Sequence, residues 1–135
     1  MKSAAPLLVI VLLLSIGCGG AESPTAPTTL ESPVTVTFAS SLYPKGTVTR
    51  LLIAAQAGTI TLTLDSLAQP VVVGLALGVT RADGAGCYGT IAVEVTAGSS
   101  SQIASPVDAG NYCVSIYDVG NISEAAAFSI TIVHP

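Results

Sequence analysis

Few side chains in this chain of 135 residues are suited to nucleophilic or acid–base chemistry. The one histidine is His134, and the cysteines are Cys18, Cys87 and Cys113. A histidine base needs a nucleophile held beside it, and a reactive cysteine needs a positively charged, partly exposed setting. His134 is next to the last residue, and no cation neighbours Cys113 in the sequence. We therefore predict no catalytic residue and no enzymatic activity.

Oxygen-bearing side chains that follow Cys113 suggest one metal. Asp118, Asn121 and Glu124 lie close together in the sequence, and calcium takes six to eight oxygen ligands, several of them from carboxylates. Asp and Asn are also ordinary turn residues, because their side chains hydrogen-bond to the backbone of their own turn. Two interpretations stay open: a calcium site at these three residues, or a turn with no cofactor.

Exposed aromatic rings are the usual platform for binding sugars, and this chain has four tyrosines and no tryptophan. Tyr88 and Tyr117 flank Cys87 and Cys113 in the sequence. We expect any ligand-binding face to be formed by Tyr88, Tyr117 and Asp118. The alternative is that the two tyrosines only cover a disulfide.

The charge balance excludes one class of partner. The chain has four Lys and Arg residues against eight Asp and Glu, a formal net charge of −4. Nucleic-acid binding demands clustered Lys and Arg, so we predict no nucleic-acid partner. The same balance disfavours direct adhesion to anionic lipid.

The first residues have the pattern of an export signal. Lys2 precedes an uncharged apolar run at residues 6–16, which is shorter than the roughly twenty residues of a membrane-spanning helix. A charged start, a short apolar run and small residues after it are typical of a signal peptide that is removed. Residues 19–33 are rich in Gly, Pro, Ser and Thr, which predicts a flexible tether.

The letters LSIGC at residues 14–18 resemble the end of a bacterial lipoprotein signal. The resemblance implies a signal peptide over residues 1–17, lipidation of Cys18, a tether over 18–33 and a folded domain over 34–135. It also implies a membrane anchor on the extracytoplasmic side of a bacterial cell envelope, at the outer membrane in a Gram-negative cell. Ser15 stands where that family usually has Leu, and ordinary cleavage, for example after Ala21, is the alternative.

An exported chain leaves Cys87 and Cys113 as a pair, because Cys18 belongs to the signal. A disulfide between them would stabilise the fold by about 3.5 kcal/mol on the chain-entropy model. The alternatives are two free thiols or a metal site. We expect the glycine-rich segment DGAGCYG at residues 83–89 to reach over the outer face of the strand that contains Cys113, and to be pinned there.

Alternation of apolar and polar residues dominates the rest of the chain. TITLTLD at 59–65, TIAVEV at 90–95 and FSITIVH at 128–134 have the period of two that is typical of half-buried strands. Further strands are expected near 34–42, 47–55, 71–80 and 110–118, with a weaker one near 100–104. About eight short strands separated by turns predict an all-β fold, an antiparallel β-sandwich.

Two segments, AGTITLTLDS at 57–66 and DAGNYCVSIYDVGN at 108–121, resemble the bacterial pre-peptidase C-terminal (PPC) domain and its jelly-roll relatives. The resemblance covers roughly residues 47–135 and implies a jelly-roll-like sandwich that serves as a small accessory module. Some members of the family bind extracellular polymers or proteins, and some bind calcium. Here no peptidase precedes the domain in the printed sequence, and the cysteine pair is an addition to the pattern.

These observations predict a non-catalytic cell-envelope lipoprotein that acts as an extracytoplasmic binding or accessory module. Its expected partners are the membrane, through the lipid, and an extracellular protein or polysaccharide. The alternative is a structural envelope subunit that self-associates, because a weakly charged, apolar chain can expose a large patch. A small secreted hydrolase is a third and weaker hypothesis.

Overall fold

The computed structural model describes residues 29–84 and 86–135, and within them the chain forms eight β-strands. The strands are β1 Val34–Leu42, β2 Thr47–Ala54, β3 Gly58–Leu67, β4 Val73–Thr80, β5 Cys87–Val95, β6 Ile103–Val107, β7 Gly110–Tyr117 and β8 Ala126–His134. The predicted signal peptide (1–17), the lipidation site Cys18 and the tether as far as residue 28 lie outside the described residues. In the part that is described, no helix is long and apolar enough to cross a membrane.

The strands form two antiparallel sheets of four. One has the order β1-β8-β3-β6 and the other has the order β2-β7-β4-β5. Every connection except that between β4 and β5 crosses from one sheet to the other, which is the topology of a jelly roll. The predicted all-β, jelly-roll-like sandwich with about eight strands is therefore confirmed.

The core lies between the two sheets and follows the alternation in the sequence. In β3, Ile60, Leu62 and Leu64 are fully buried, and they pack with the inward residues of the other strands. The rings of Phe38 and Phe128 meet edge to face, with centroids 5.2 Å apart. Because large apolar side chains line both inner faces, their burial is the main stabilising contribution to the fold.

Strand β4 is apolar in both phases, and the structure shows why. Its bulky residues Val73, Leu75 and Leu77 point into the core. Its small residues lie on the outer face of the sheet, where a Cβ atom at Gly74 would overlap the ring of Tyr117. The outer face of β4 is thus covered closely by side chains of neighbouring strands.

The sandwich has two different ends. One end, called here the tether end, contains the start of β1 and the end of β8. It also contains the connections β2–β3, β4–β5 and β6–β7. The opposite, distal end contains the connections at residues 43–46, 68–72, 96–102 and 118–125. The side chain of Gln56 fixes the entry of the chain at the tether end, because its Nε2 donates to the Glu31 carbonyl oxygen (2.6 Å) and its Oε1 accepts from the Glu31 N–H (3.2 Å).

Candidate functional site

The predicted disulfide between Cys87 and Cys113 is present. Cys87 is the first residue of β5. Cys113 lies in β7 on the outer face, because the next residue, Val114, and then Ile116 point into the core. The bond passes over β4, the strand between β5 and β7. The glycine-rich segment is therefore pinned to the outer face as expected, with its cysteine already in strand conformation.

A β-bulge allows β5 to bend over its neighbour. The pairing of β4 with β5 shifts between Leu77 and Gly78, which leaves Thr90 without a partner in the ladder. At this point the backbone carbonyl of Tyr88 lies so close to Gly78 that a Cβ atom there would overlap it. Gly78 is consequently the residue that permits the bend, and the disulfide holds it.

The connection from β4 to β5 is a compact turn. The N–H of Gly84 donates to the carbonyl oxygen of Arg81 (2.9 Å). The N–H of Arg81 donates to the carbonyl oxygen of Gly86 (3.0 Å). Gly84 has φ 71°, a left-handed conformation that favours glycine. The guanidinium of Arg81 lies over the ring of Tyr88, 4.4 Å from its centroid. These contacts, together with the disulfide, give the tether end a defined shape.

The three residues of the predicted ligand-binding face do not lie together. Tyr117 is opposite Gly74 and Tyr88 is opposite Val79. The two positions are five residues apart along β4, or about 17 Å at the usual rise of a strand. Tyr117 and Asp118 therefore lie at the distal end and Tyr88 at the tether end. Ligand binding by these residues remains a prediction.

Asp118 organises the distal end. Its Oδ2 accepts a hydrogen bond from the N–H of Lys45 (2.7 Å), and its Oδ1 accepts from the N–H groups of Gly120, Asn121 and Ile122 (2.8, 2.8 and 3.0 Å). The bond from Lys45 is the largest cause that lowers the pKa of Asp118 to about 2, followed by that from Ile122, while partial burial opposes the shift. The carboxylate thereby joins the β1–β2 turn to the β7–β8 connection.

A third connection is tied to the same end. The Nδ2 of Asn121 donates to the carbonyl oxygen of Val72 (3.0 Å). Gln69 donates through Nε2 to the backbone oxygen of Glu124 (2.8 Å), and its Oε1 accepts from the N–H and hydroxyl of Ser123 (3.3 and 3.2 Å). The connections at 43–46, 68–72 and 118–125 thus form one hydrogen-bonded unit, called here the distal loop surface.

These contacts bear on the two interpretations of Asp118, Asn121 and Glu124. Both carboxylate oxygens of Asp118 already accept backbone N–H groups, and the amide of Asn121 is used as a donor. Within residues 29–84 and 86–135, no group of three or more His, Cys, Asp or Glu side chains is placed to hold a metal ion. The geometry fits the turn interpretation, and calcium binding remains a prediction.

Tyr43 is the residue at this surface that sequence reasoning passed over. Its side chain is 62% exposed, and its carbonyl oxygen accepts from the N–H of Gly46 (2.8 Å) to close the turn whose Lys45 N–H binds Asp118. Lys45 has φ 58°, which Asp118 helps to hold. The signal in the sequence is Tyr-Pro-Lys-Gly at 43–46, since Pro and Gly favour a turn and the turn exposes the ring.

The topology and the bond define this chain as a small, disulfide-linked jelly-roll β-sandwich. No protein-family model and no curated protein matches it. The resemblance to the PPC domain continues to rest on the two sequence segments that suggested it, and the observed β-sandwich is compatible with it.

Proposed function

We propose that this chain is a non-catalytic, lipid-anchored binding module on the extracytoplasmic side of a bacterial cell envelope. The observation that carries the proposal is the distal loop surface. Three connections, locked together by side chains of Asp118, Asn121 and Gln69, present an exposed tyrosine at the end of the domain opposite the tether.

Export is supported by the Cys87–Cys113 bond, because disulfides persist chiefly in oxidising compartments. The bond accounts for two of the three cysteines and leaves Cys18 as the third. That residue ends the segment that resembles a lipoprotein signal. Cleavage before Cys18 and transfer of a diacylglyceryl group to its sulfur would place residues 18–33 between the membrane and β1.

Binding is supported by the rigidity of the distal loop surface. Connections between strands are the usual location of binding residues on a sandwich. Because hydrogen bonds already order these connections, a ligand would lose little of its binding free energy to ordering them. The exposed ring of Tyr43 offers a stacking platform. The same end has the carboxylates of Asp118 and Glu124 against the cation Lys45, a balance that favours a neutral or cationic partner. A polysaccharide or a basic segment of an extracellular protein meets these conditions.

The anchor is tested by intact mass of the protein purified from membranes, measured before and after reduction. We expect an N-terminus at Cys18 with added acyl mass, and a gain of two hydrogens from the one disulfide on reduction. An unmodified chain that begins after Ala21 would contradict the anchor.

Binding is tested with immobilised chain, cell-wall polysaccharides and envelope proteins. We expect a retained partner that is lost in Tyr43→Ala and kept in Tyr88→Ala, which removes an exposed tyrosine from the opposite end. Retention of no partner, or equal loss in both variants, would contradict a distal binding surface.

A further inference from the structure

Exposed apolar side chains are distributed unevenly over the domain. Among the described residues, seven large hydrophobic side chains are exposed, and only Tyr43 belongs to the distal end. The other six lie toward the tether end and are named here the tether-end rim: Leu30, Val34, Leu51, Ile53, Val79 and Tyr88.

The strand positions show how these residues come together. Val34 begins β1, Ile53 and Val79 are each one residue from the end of their strands, and Tyr88 is the second residue of β5. At about 3.3 Å per residue, each of these lies within roughly 7 Å of the same end of the sandwich. Segments remote in the chain thus place apolar groups around one rim.

Two open grooves accompany the rim. The first, of about 310 Å³, lies beside the disulfide-held turn, and the exposed fractions of Leu51 and Ile53 in its wall are 55% and 68%. The second, of about 510 Å³, lies where the chain enters the domain, between Leu30 and Pro135. Exposed rim residues thus line both grooves, Leu51 and Ile53 in the first and Leu30 in the second.

The path of the chain indicates what this surface meets. The hydrogen bonds of Gln56 hold Glu31 at the tether end. Residues 18–28, between the anchor and the described chain, are eleven in number and span at most about 40 Å when extended. A lipid on Cys18 would therefore hold the tether end, where the chain enters the domain, within about 40 Å of the bilayer.

The charges near the rim indicate which lipids it can meet. At this end the cation Arg81 is opposed by Glu31, Asp83 and Asp108, while Arg50 lies near the middle of β2. This end thus has no excess of positive charge with which to attract anionic headgroups. Contact must come from aliphatic groups and from Tyr88, whose ring, with Arg81 over it, is suited to the membrane interface.

We propose that the tether-end rim is a bilayer-contact surface, in which Leu51, Ile53 and Tyr88 enter the interface of the leaflet that holds the anchor. This inference rests on the proposed lipid anchor and adds an orientation to it, with the distal loop surface directed away from the membrane. Because the anchor gives the rim a high effective concentration at the bilayer, a contact that is weak by itself is sufficient.

The chain contains no tryptophan, so a single introduced tryptophan reports on its own position. Ile53→Trp and Tyr88→Trp place the reporter in the rim, and Tyr43→Trp is the matched control at the distal end. Each full chain is expressed with its signal, purified from membranes and reconstituted into phosphatidylcholine vesicles with or without brominated acyl chains. Circular dichroism and the mass change on reduction verify the fold and the disulfide.

We expect brominated lipid to reduce the fluorescence of the two rim reporters and to leave that of the distal reporter unchanged. Vesicles with added phosphatidylglycerol should give the same result, because the contact is apolar. No loss at either rim position, or equal loss at all three, would overturn the proposal. A change that depends on protein density and occurs without bromine would identify a second copy of the chain as the occupant, and would also overturn it.

Failure of the anchor is distinguished from failure of the contact surface by the intact mass. If the mass shows no acyl group, the proposed anchor is wrong, and the rim is tested in chains with Cys18→Ser and Thr29→Cys coupled to a maleimide lipid. Loss of fluorescence at the rim positions would then still support the contact surface, and its absence would overturn it.

Discussion

Cys87 and Cys113 are joined across a strand that lies between them, although the strands to which they belong do not pair with each other. Two steps between neighbouring strands normally separate Cα atoms by about 9.5 Å, whereas these Cα atoms are 5.8 Å apart. The start of β5 is therefore folded over β4, and the bond links the sheet to the turn that shapes the tether end.

Removing the disulfide should lower the free energy of unfolding. In Cys87→Ala/Cys113→Ala we expect a loss of about 2–5 kcal/mol, because the closed loop no longer limits the unfolded chain. Chemical denaturation followed by circular dichroism measures it. Reduced wild-type protein is the control that keeps both sulfur atoms, and it should lose most of the same free energy. Unchanged midpoints in both would show that the bond does not stabilise the fold.

Adding one methyl group at Gly78 should be far more disruptive than at Gly89. A Cβ at Gly78 would overlap the carbonyl of Tyr88, whereas one at Gly89 would lie 3.6 Å from the Cβ of Ala76, an ordinary contact. We expect Gly78→Ala to cost about 1–3 kcal/mol, the usual range for overpacking, and Gly89→Ala to be nearly neutral. Thermal unfolding compares the two variants. Equal effects would contradict the close approach of β5 to β4.

Acid should destabilise the domain partly through Asp118. Its pKa falls from the usual 3.8 to about 2 in the folded chain, so between these values the unfolded state binds a proton that the folded state does not. The stabilisation is complete above pH 4 and is lost as the pH falls toward 2. Asp118→Asn should remove this part of the pH dependence of unfolding. Asp108→Asn, at the opposite end, should keep it, and identical profiles for the two variants would contradict the assignment.

The side chain of Gln56 should control the order of the chain where it enters the domain. Gln56→Ala removes both hydrogen bonds to the Glu31 backbone, each of which contributes about 0.5–1.5 kcal/mol. We expect faster hydrogen exchange at the Glu31 amide with little change in global stability. Exchange at the Asn121 amide, held by Asp118 at the distal end, is the internal control. Unchanged exchange at Glu31 would show that Gln56 does not hold the entry.

Much of the fold follows from local pattern. The alternation in β3 and β8 predicts their inward faces. The boundaries of β1 are those expected. The weakest prediction, a strand near residues 100–104, begins three residues before the observed β6, because Ser105 and Pro106 weaken the alternation of that strand.

The candidate site was less accessible to sequence reasoning. Tyr117 and Asp118 were identified, but their companion at the surface is Tyr43, 75 residues away from Asp118 in the chain. The letters LLIA at 51–54 indicate the exposure of Leu51 and Ile53, because this strand segment has apolar residues on both of its faces. The pattern shows that the outer face of β2 is apolar, but it does not show whether neighbouring segments cover that face.

The sequence alone determined the strands and their inward faces, because strand periodicity is a local property, and it favoured the pairing of the two cysteines that the structure shows. The tertiary structure decided which connections meet at each end. Tyr88 follows Cys87 in the chain, and Tyr117 ends the strand that contains Cys113, yet the two tyrosines lie about 17 Å apart along β4. Asp118 and Lys45, far apart in sequence, are in direct contact. Connections that cross between the two sheets bring distant segments of the chain together. Only the order of strands in the sheets specifies which segments meet.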